Sequence, residues 1–242
     1  MTPMDWDVLH ANFLPAVLVN AALAALAYAS GGVRRSGVAG GLAVGIPIYA
    51  CLGWRGFSIM AGVFVIGTAL TRFGYARKEA MGTAEASRGA RGASHALANV
   101  GFAAAAAVAA WSLGSPVWVT AFAAALATSS MDTAGSELGP LYGRRTVSMK
   151  TFRTVPPGTD GAVSLEGTAA GLAAAAALAS LAAAVGLLPA SAVWIVVAGA
   201  VAGNVYEAAA GARHLLPHGW LNATSTAVGG AGAALLVMAG AG

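Results

Sequence analysis

The chain has 242 residues, of which 58% are hydrophobic and 9% are charged, and its mean hydropathy is +0.73. Ordinary soluble domains carry about 25% charged residues, so this composition excludes a water-covered globule and points to a bilayer. The net charge of +4 is not gathered into a tail or patch, which argues against a nucleic-acid partner, and a lone cysteine, Cys51, excludes an intrachain disulfide.

A membrane helix needs about 20 mostly apolar residues. Taken in chain order, eight segments qualify: 12–30, 36–53, 56–73, 95–113, 116–132, 163–186, 190–210 and 223–241. The expected fold class is therefore all-α, a polytopic transmembrane helical bundle of about eight spans forming a single domain over 1–242. The second and fifth segments are short and Pro47 interrupts the second, so six or seven spans follow if either fails to cross. The leader MTPMDWD holds Asp5 and Asp7 and no basic residue, the wrong charge for a cleaved signal peptide. Cys51 is read as a small packing residue inside the second span.

Lys and Arg accumulate in cytoplasmic loops. With both termini outside, the inner loops are 31–35, 74–94, 133–162 and 211–222. They hold Arg34, Arg35, Arg77, Lys78, Arg88, Arg91, Arg144, Arg145, Lys150, Arg153 and Arg213, with Arg72 at an inner helix end and only Arg55 outside. Seven acids follow the bases inward: Glu79, Glu85, Asp132, Glu137, Asp160, Glu166 and Glu207. The expected location is a cell membrane, with the functional loops facing the cytoplasm.

Between the third and fourth spans, His95 and Asn99 are four apart and share one helix face, with Arg91 one turn earlier. Polar side chains entering a membrane helix usually face the bundle interior and mark a site. The blander reading of Arg77, Lys78, Arg88 and Arg91 is charge for orientation and for anionic lipid heads.

The fifth span ends in SSMDTAGSELG. Ser129, Asp132 and Ser136 lie on one helical stripe and Thr133 and Glu137 on a neighbouring one, so Asp132 and Glu137 point well apart. Gly139 and Pro140 are expected to stop the helix there. A carboxylate at that boundary suits Mg²⁺, which is held by one or two carboxylates plus substrate phosphates. The alternative is a helix-end aspartate paired with a base such as Arg144.

Four cations come next: Arg144, Arg145, Lys150 and Arg153. Then VPPGTDG gives a stiff turn followed by a flexible one, and SLEGT opens the sixth span. Ser164 is placed to cap that helix, with Glu166 and Thr168 in its first turns. A helix N-terminus favours phosphate. The parts match a site for a polyphosphate with its metal, held by Asp132 with Glu137 or Glu166 nearby. Asn204, Glu207 and Asn222 add polar groups near the inner ends of the last two spans. His214 and His218, beside Trp220, are read as interfacial.

The runs RKEAMGTAE, RGASHALAN, DTAGSELG, TFRTVPPGTDGAVSLEGT and NVYEAAAGA…LNATST resemble an integral-membrane family that includes plant phytyl-phosphate kinase. The likeness runs from about Ser36 to about Gly230. A weaker one reaches dolichol kinase and CDP-diacylglycerol synthase, which use CTP. The resemblance implies Mg²⁺-dependent phosphoryl transfer from a nucleoside triphosphate, CTP or ATP, to an isoprenyl monophosphate, phytyl or polyprenyl. Asp132, Ser136 and Glu137 match its acidic motif. Arg153, Gly158, Thr159, Ser164, Gly167 and Thr168 match the second motif, and Lys78, Arg91 and Asn99 the first loop. His95 stands in place of an expected glutamine, Asp160 of asparagine, Arg153 of lysine and Ala208 of serine. The rival readings are a CDP-lipid synthase and a transporter of lipids or anions.

Overall fold

In the computed structural model, residues 4–85 and 90–240 are described, and Arg88 of the first charged loop lies outside them. The elements in chain order are α1 (Trp6–Ala29), α2 (Arg35–Arg72), α3 (Tyr75–Ala80), α4 (Ala93–Leu113), α5 (Pro116–Tyr142), β1 (Thr146–Ser148), β2 (Ala162–Ser164), α6 (Leu165–Ala184), α7 (Val193–Gly211) and α8 (His218–Met238). Among the described residues, six helices are long and apolar enough to cross a membrane: α1, α2, α4, α6, α7 and α8. The chain is an all-α polytopic membrane protein.

The second and third expected spans are one assigned helix, α2, broken at Gly53, whose φ of 63° and ψ of −163° are not helical. The left-handed φ is what only glycine adopts without strain. The chain reverses there. Gly37, on the way out, and Gly67, on the way back, both lie against Arg91, and Gly45 lies near Met60. Pro47 stays inside the first limb and does not end it. With α2 counted as two limbs and α5 added, the bundle has eight limbs.

Helix α5 falls short of the apolar length because it needs no lipid-facing side. Every residue from Val119 to Met131 is buried, Thr128, Ser129 and Ser130 among them. The other helices supply the apolar surround, as for a helix enclosed on all sides. Its core is built from small side chains. Gly171 of α6 sits so close that an added methyl would come 2.7 Å from the Met131 carbonyl oxygen. Helix α5 does not stop at Gly139–Pro140 but runs on to Tyr142. Proline removes one N–H and costs most in a helix interior. Here it falls in the last turn, and the Gly143 N–H still reaches the Gly139 oxygen at 2.8 Å.

The two ends of the bundle differ. At one end Asp5 meets Trp111, and Arg55 donates to the Gly186 oxygen at 3.3 Å. Trp6, Trp54, Trp111, Trp118 and Trp194 all belong to helix ends on that side, as expected of an aromatic belt at a membrane–water interface. At the other end lie the three charged loops. The loop expected at 133–162 is shortened by the extension of α5, and it contains a small antiparallel hairpin, β1 with β2, pairing Thr146 with Ser164 and Ser148 with Ala162.

Candidate active site

The charged end holds a cleft of about 510 Å³ whose walls come from α4, α5, α6, α7, α8 and the loop before β2. That is within the usual size of a small-molecule site. It brings together most of the residues singled out in the sequence. Arg91, His95, Asn99, Asp132, Ser136, Glu137, Gly158, Thr159, Asp160, Ser164, Gly167, Thr168, Asn204, Glu207 and Asn222 all line it. Residues 129–139 and the 156–168 segment thus share one wall region, joined where Gly135 and Gly139 pack on α6 and Ser164.

The loop is shaped locally. Pro156 accepts from both the Thr159 N–H, at 3.3 Å, and the Thr159 hydroxyl, at 2.8 Å. Gly158 and Gly161 both have positive φ, 83° and 64°. Gly161 lies against the end of α7, where any side chain would collide with Ala208 and Ala212. Ser164 caps α6 as expected, its hydroxyl accepting from the Gly167 N–H at 3.1 Å.

The polar lining divides into groups already satisfied and groups left open. Glu137 is 7% exposed; it accepts from the Thr71 hydroxyl at 2.6 Å and forms an ion pair with Lys78. Lys78 is fully buried and also donates to the Leu70 and Thr71 carbonyl oxygens, both at 2.9 Å. Asn99 accepts from the Ser129 hydroxyl and donates to the His95 oxygen, each at 3.0 Å. Asn204 donates to the Thr128 and Ala200 oxygens at 3.1 and 3.0 Å. These four hold α3, α4 and α7 against α5. Lys78 therefore does not line the cleft, and Glu137 spends both carboxylate oxygens on the protein. The expected sharing of one metal by Asp132 and Glu137 is not the geometry found.

Asp132 and Glu207 make no hydrogen bond or ion pair among the described residues, although Glu207 feels the charges of Asp132 and Asp160, and Asp132 those of His218 and Glu85. The Asn222 amide oxygen is buried without a partner among the described residues. Arg91 is fixed by its backbone: its N–H donates to the Gly32 oxygen at 3.1 Å and its oxygen accepts from the Arg34 N–H at 3.0 Å. Its guanidinium lies over Gly67, and burial lowers its pKa from the usual value against the opposing charges of Glu85 and Glu137.

Arg144, Arg145, Lys150 and Arg153 are exposed and line no part of the cleft, and neither does Glu166. Arg145 donates instead to the Thr154 hydroxyl at 3.2 Å. These four cations of the expected polyphosphate site are thus outside the cavity, on the exposed surface around the hairpin. Conversely, His214 and His218, read as interfacial, do line the cleft, and His214 faces Asp160 at 3.5 Å. Glu85, one of the inner acids, and Thr133, on the stripe of Glu137, also line it, as does Thr71, which nothing in the sequence spacing marks.

The family described as Integral membrane protein DUF92 matches residues 18–215. The chain belongs to this family. Three relatives agree. A membrane protein of the cyanobacterium Synechocystis is 42% identical over 149 residues, covering 60% of this chain and 57% of its own length. The chloroplastic protein VTE6 of Arabidopsis thaliana is 38% identical over 202 residues, covering 79% of this chain and 60% of its own length. A membrane protein of Methanocaldococcus jannaschii is 29% identical over 223 residues, covering 88% of this chain and 90% of its own length. The chain thus spans less than two thirds of the length of the first two relatives. No solved structure matches it. The matched family region contains every lining residue of the cleft up to His214 and leaves out the start of α8.

Proposed function

We propose that this chain is a membrane phosphotransferase, moving the terminal phosphoryl group of a nucleoside triphosphate, CTP by preference over ATP, onto an isoprenyl monophosphate to give the diphosphate. The observation that carries this reading is the meeting, in one cleft, of an aspartate with no hydrogen-bond or ion-pair partner among the described residues, a proline–glycine loop and a capped helix N-terminus. The likeness to a family that includes plant phytyl-phosphate kinase supports the same chemistry. The cleft is proposed to face the cytoplasm, since eleven of the twelve described Lys and Arg, all but Arg55, belong to its end of the bundle.

A lipid monophosphate needs little help as a nucleophile, because its second pKa is about 6 and it is largely dianionic at neutral pH. One of its oxygens attacks the terminal phosphorus, the bond to the bridging oxygen breaks, and the nucleoside diphosphate leaves with the electron pair. What opposes the step is repulsion between two polyanions, so catalysis is positioning and charge stabilisation. Arg91, held rigidly by its backbone, is the cation in the wall for a bidentate grip on phosphate. Gly167 and Thr168 place the positive end of α6 on the same cavity.

Among the described residues, no three His, Cys, Asp or Glu side chains are grouped to hold a metal on their own. The donors that are open, the Asp132 and Glu207 carboxylates and the orphaned Asn222 oxygen, are hard oxygen ligands of the kind Mg²⁺ takes when substrate phosphates complete its shell. Bound there, Mg²⁺ would neutralise charge developing on the phosphates. Glu137 keeps a positioning role through Lys78.

The test is direct. Protein in nanodiscs is incubated with Mg²⁺, CTP or ATP, and a panel of isoprenyl monophosphates, and products are read by mass. A lipid diphosphate with a nucleoside diphosphate is expected. A CDP-linked lipid with pyrophosphate would instead make it a cytidylyltransferase, and triphosphate untouched in every combination would refute the proposal.

A further inference from the structure

The cleft extends to the facing edges of α6 and α7. Helix α6 spends its small-residue stripe on α5, at Gly167 and Gly171, and α7 spends its own on α8, where Gly203 meets the Ser225 oxygen. The two helices are joined at the far end by the turn over 185–192 and are separated at the charged end by the cleft. The facing edges hold Thr168 and Leu172 on α6 and Val201 and Val205 on α7, each pair one turn apart. Leu172 is 37% exposed and Val205 52% exposed, yet both line the same cavity as Asp132.

Depth agrees on both sides. Leu172 lies about 10 Å along α6 from its first residue, and Val205 about 9 Å along α7 from its last, at 1.5 Å per residue. The edges are thus apolar below and polar above, where Thr168 and Glu207 stand.

We infer that the gap between α6 and α7 is a lateral portal, and that the tail of the lipid monophosphate lies in it, with Leu172 and Val205 as its jambs. This rests on the reading of the cleft as acting on a lipid phosphate. The occupant is fixed by continuity: one cavity offers charge and open polar groups to an anionic head, and leads through apolar edges straight into the bilayer. A tail left in lipid costs nothing in hydration, whereas pulling it through the watery mouth would expose about 0.8 kcal/mol for each CH₂. Side entry is therefore the route that keeps the chain apolar throughout.

The experiment compares Leu172→Trp and Val205→Trp with wild type, using phytyl monophosphate, which resides in the membrane, and dimethylallyl monophosphate, which is water-soluble. Leu235→Trp, on an exposed lipid face at the other end, is the control. The ratio of kcat/KM for the long substrate to that for the short one is expected to fall about tenfold or more in both portal variants and not in the control. An unchanged ratio would overturn the portal. A second measurement is independent of turnover: a phytyl monophosphate with a diazirine in its tail is photolysed with wild-type protein. Label within 168–172 or 201–205, competed by unlabelled phytyl monophosphate but not by phytol, supports the portal. A second, mostly apolar cavity is lined by Phe102, Trp118 and Leu235, and label confined there would refute the portal. Failure of the wild type to make any diphosphate, with labelling still in the portal, would reject the kinase reading and leave the portal standing.

Discussion

Two carboxylates on α5, less than two turns apart, live in opposite circumstances. Glu137 is buried and fully engaged, held by Lys78 and Thr71. Asp132 lines the cleft and has no partner among the described residues. Desolvated charges are costly unless paired, and the protein meets that rule at Glu137 with a lysine that has no exposure at all. It does not meet it at Asp132. The contrast separates an acid that builds the site from an acid that waits for a ligand, although both belong to the same sequence motif.

The comparison can be broken most severely at Asp132. Asp132→Asn is expected to lower kcat by about a thousandfold or more, roughly 4 kcal/mol, with the melting temperature in detergent unchanged or raised. Full activity would end its assignment. At Lys78 the expectation reverses. Lys78→Met strands a buried carboxylate and is expected to destabilise by about 3–5 kcal/mol, seen as a large fall in melting temperature, and the double variant with Glu137→Gln should recover much of the loss. No recovery would mean that the pair is not the cause. Arg91→Gln should raise KM for the phosphate substrates about 10- to 100-fold with a smaller change in kcat, and Arg91→Lys, which keeps charge but not the fork, should recover only part. The smallest effect is expected at Arg153→Ala, on the exposed hairpin. It should change kcat/KM by about threefold or less, and added salt should erase the difference, because exposed charges are screened. A hundredfold loss there would return the hairpin cations to the site.

Much of this was legible in the sequence because hydropathy and helical spacing are local properties. The eight limbs, the crowding of charge at one end and the divergence of Asp132 from Glu137 all follow from periods of 3.6 residues and runs of about 20. What the sequence left open depends on direction in space. The bases at 144–153 sit beside the motif residues in the chain, but a two-stranded hairpin turns them outward. Lys78 is drawn inward by two carbonyl groups at the end of α2, a partner no linear pattern announces. Pro140 reads as a stop in the sequence, whereas α5 runs on to Tyr142, because a proline's position relative to the helix end is a tertiary matter. His214 and His218 have the surroundings of interfacial residues and enter the cleft because the loop joining α7 to α8 folds back over it.

The enclosed position of α5 also bears on how the protein is made. Its middle carries Thr128, Ser129 and Ser130 where a free-standing span would carry leucine, and it is not among the six helices that qualify alone. During synthesis it emerges before α6, α7 and α8, the helices that later wrap it. It therefore has to be retained by the insertion machinery, or wait at the membrane surface, until those followers arrive. A nascent chain cut just after Tyr142 should leave α5 extractable from the bilayer by alkali, while α1, α2 and α4 stay embedded.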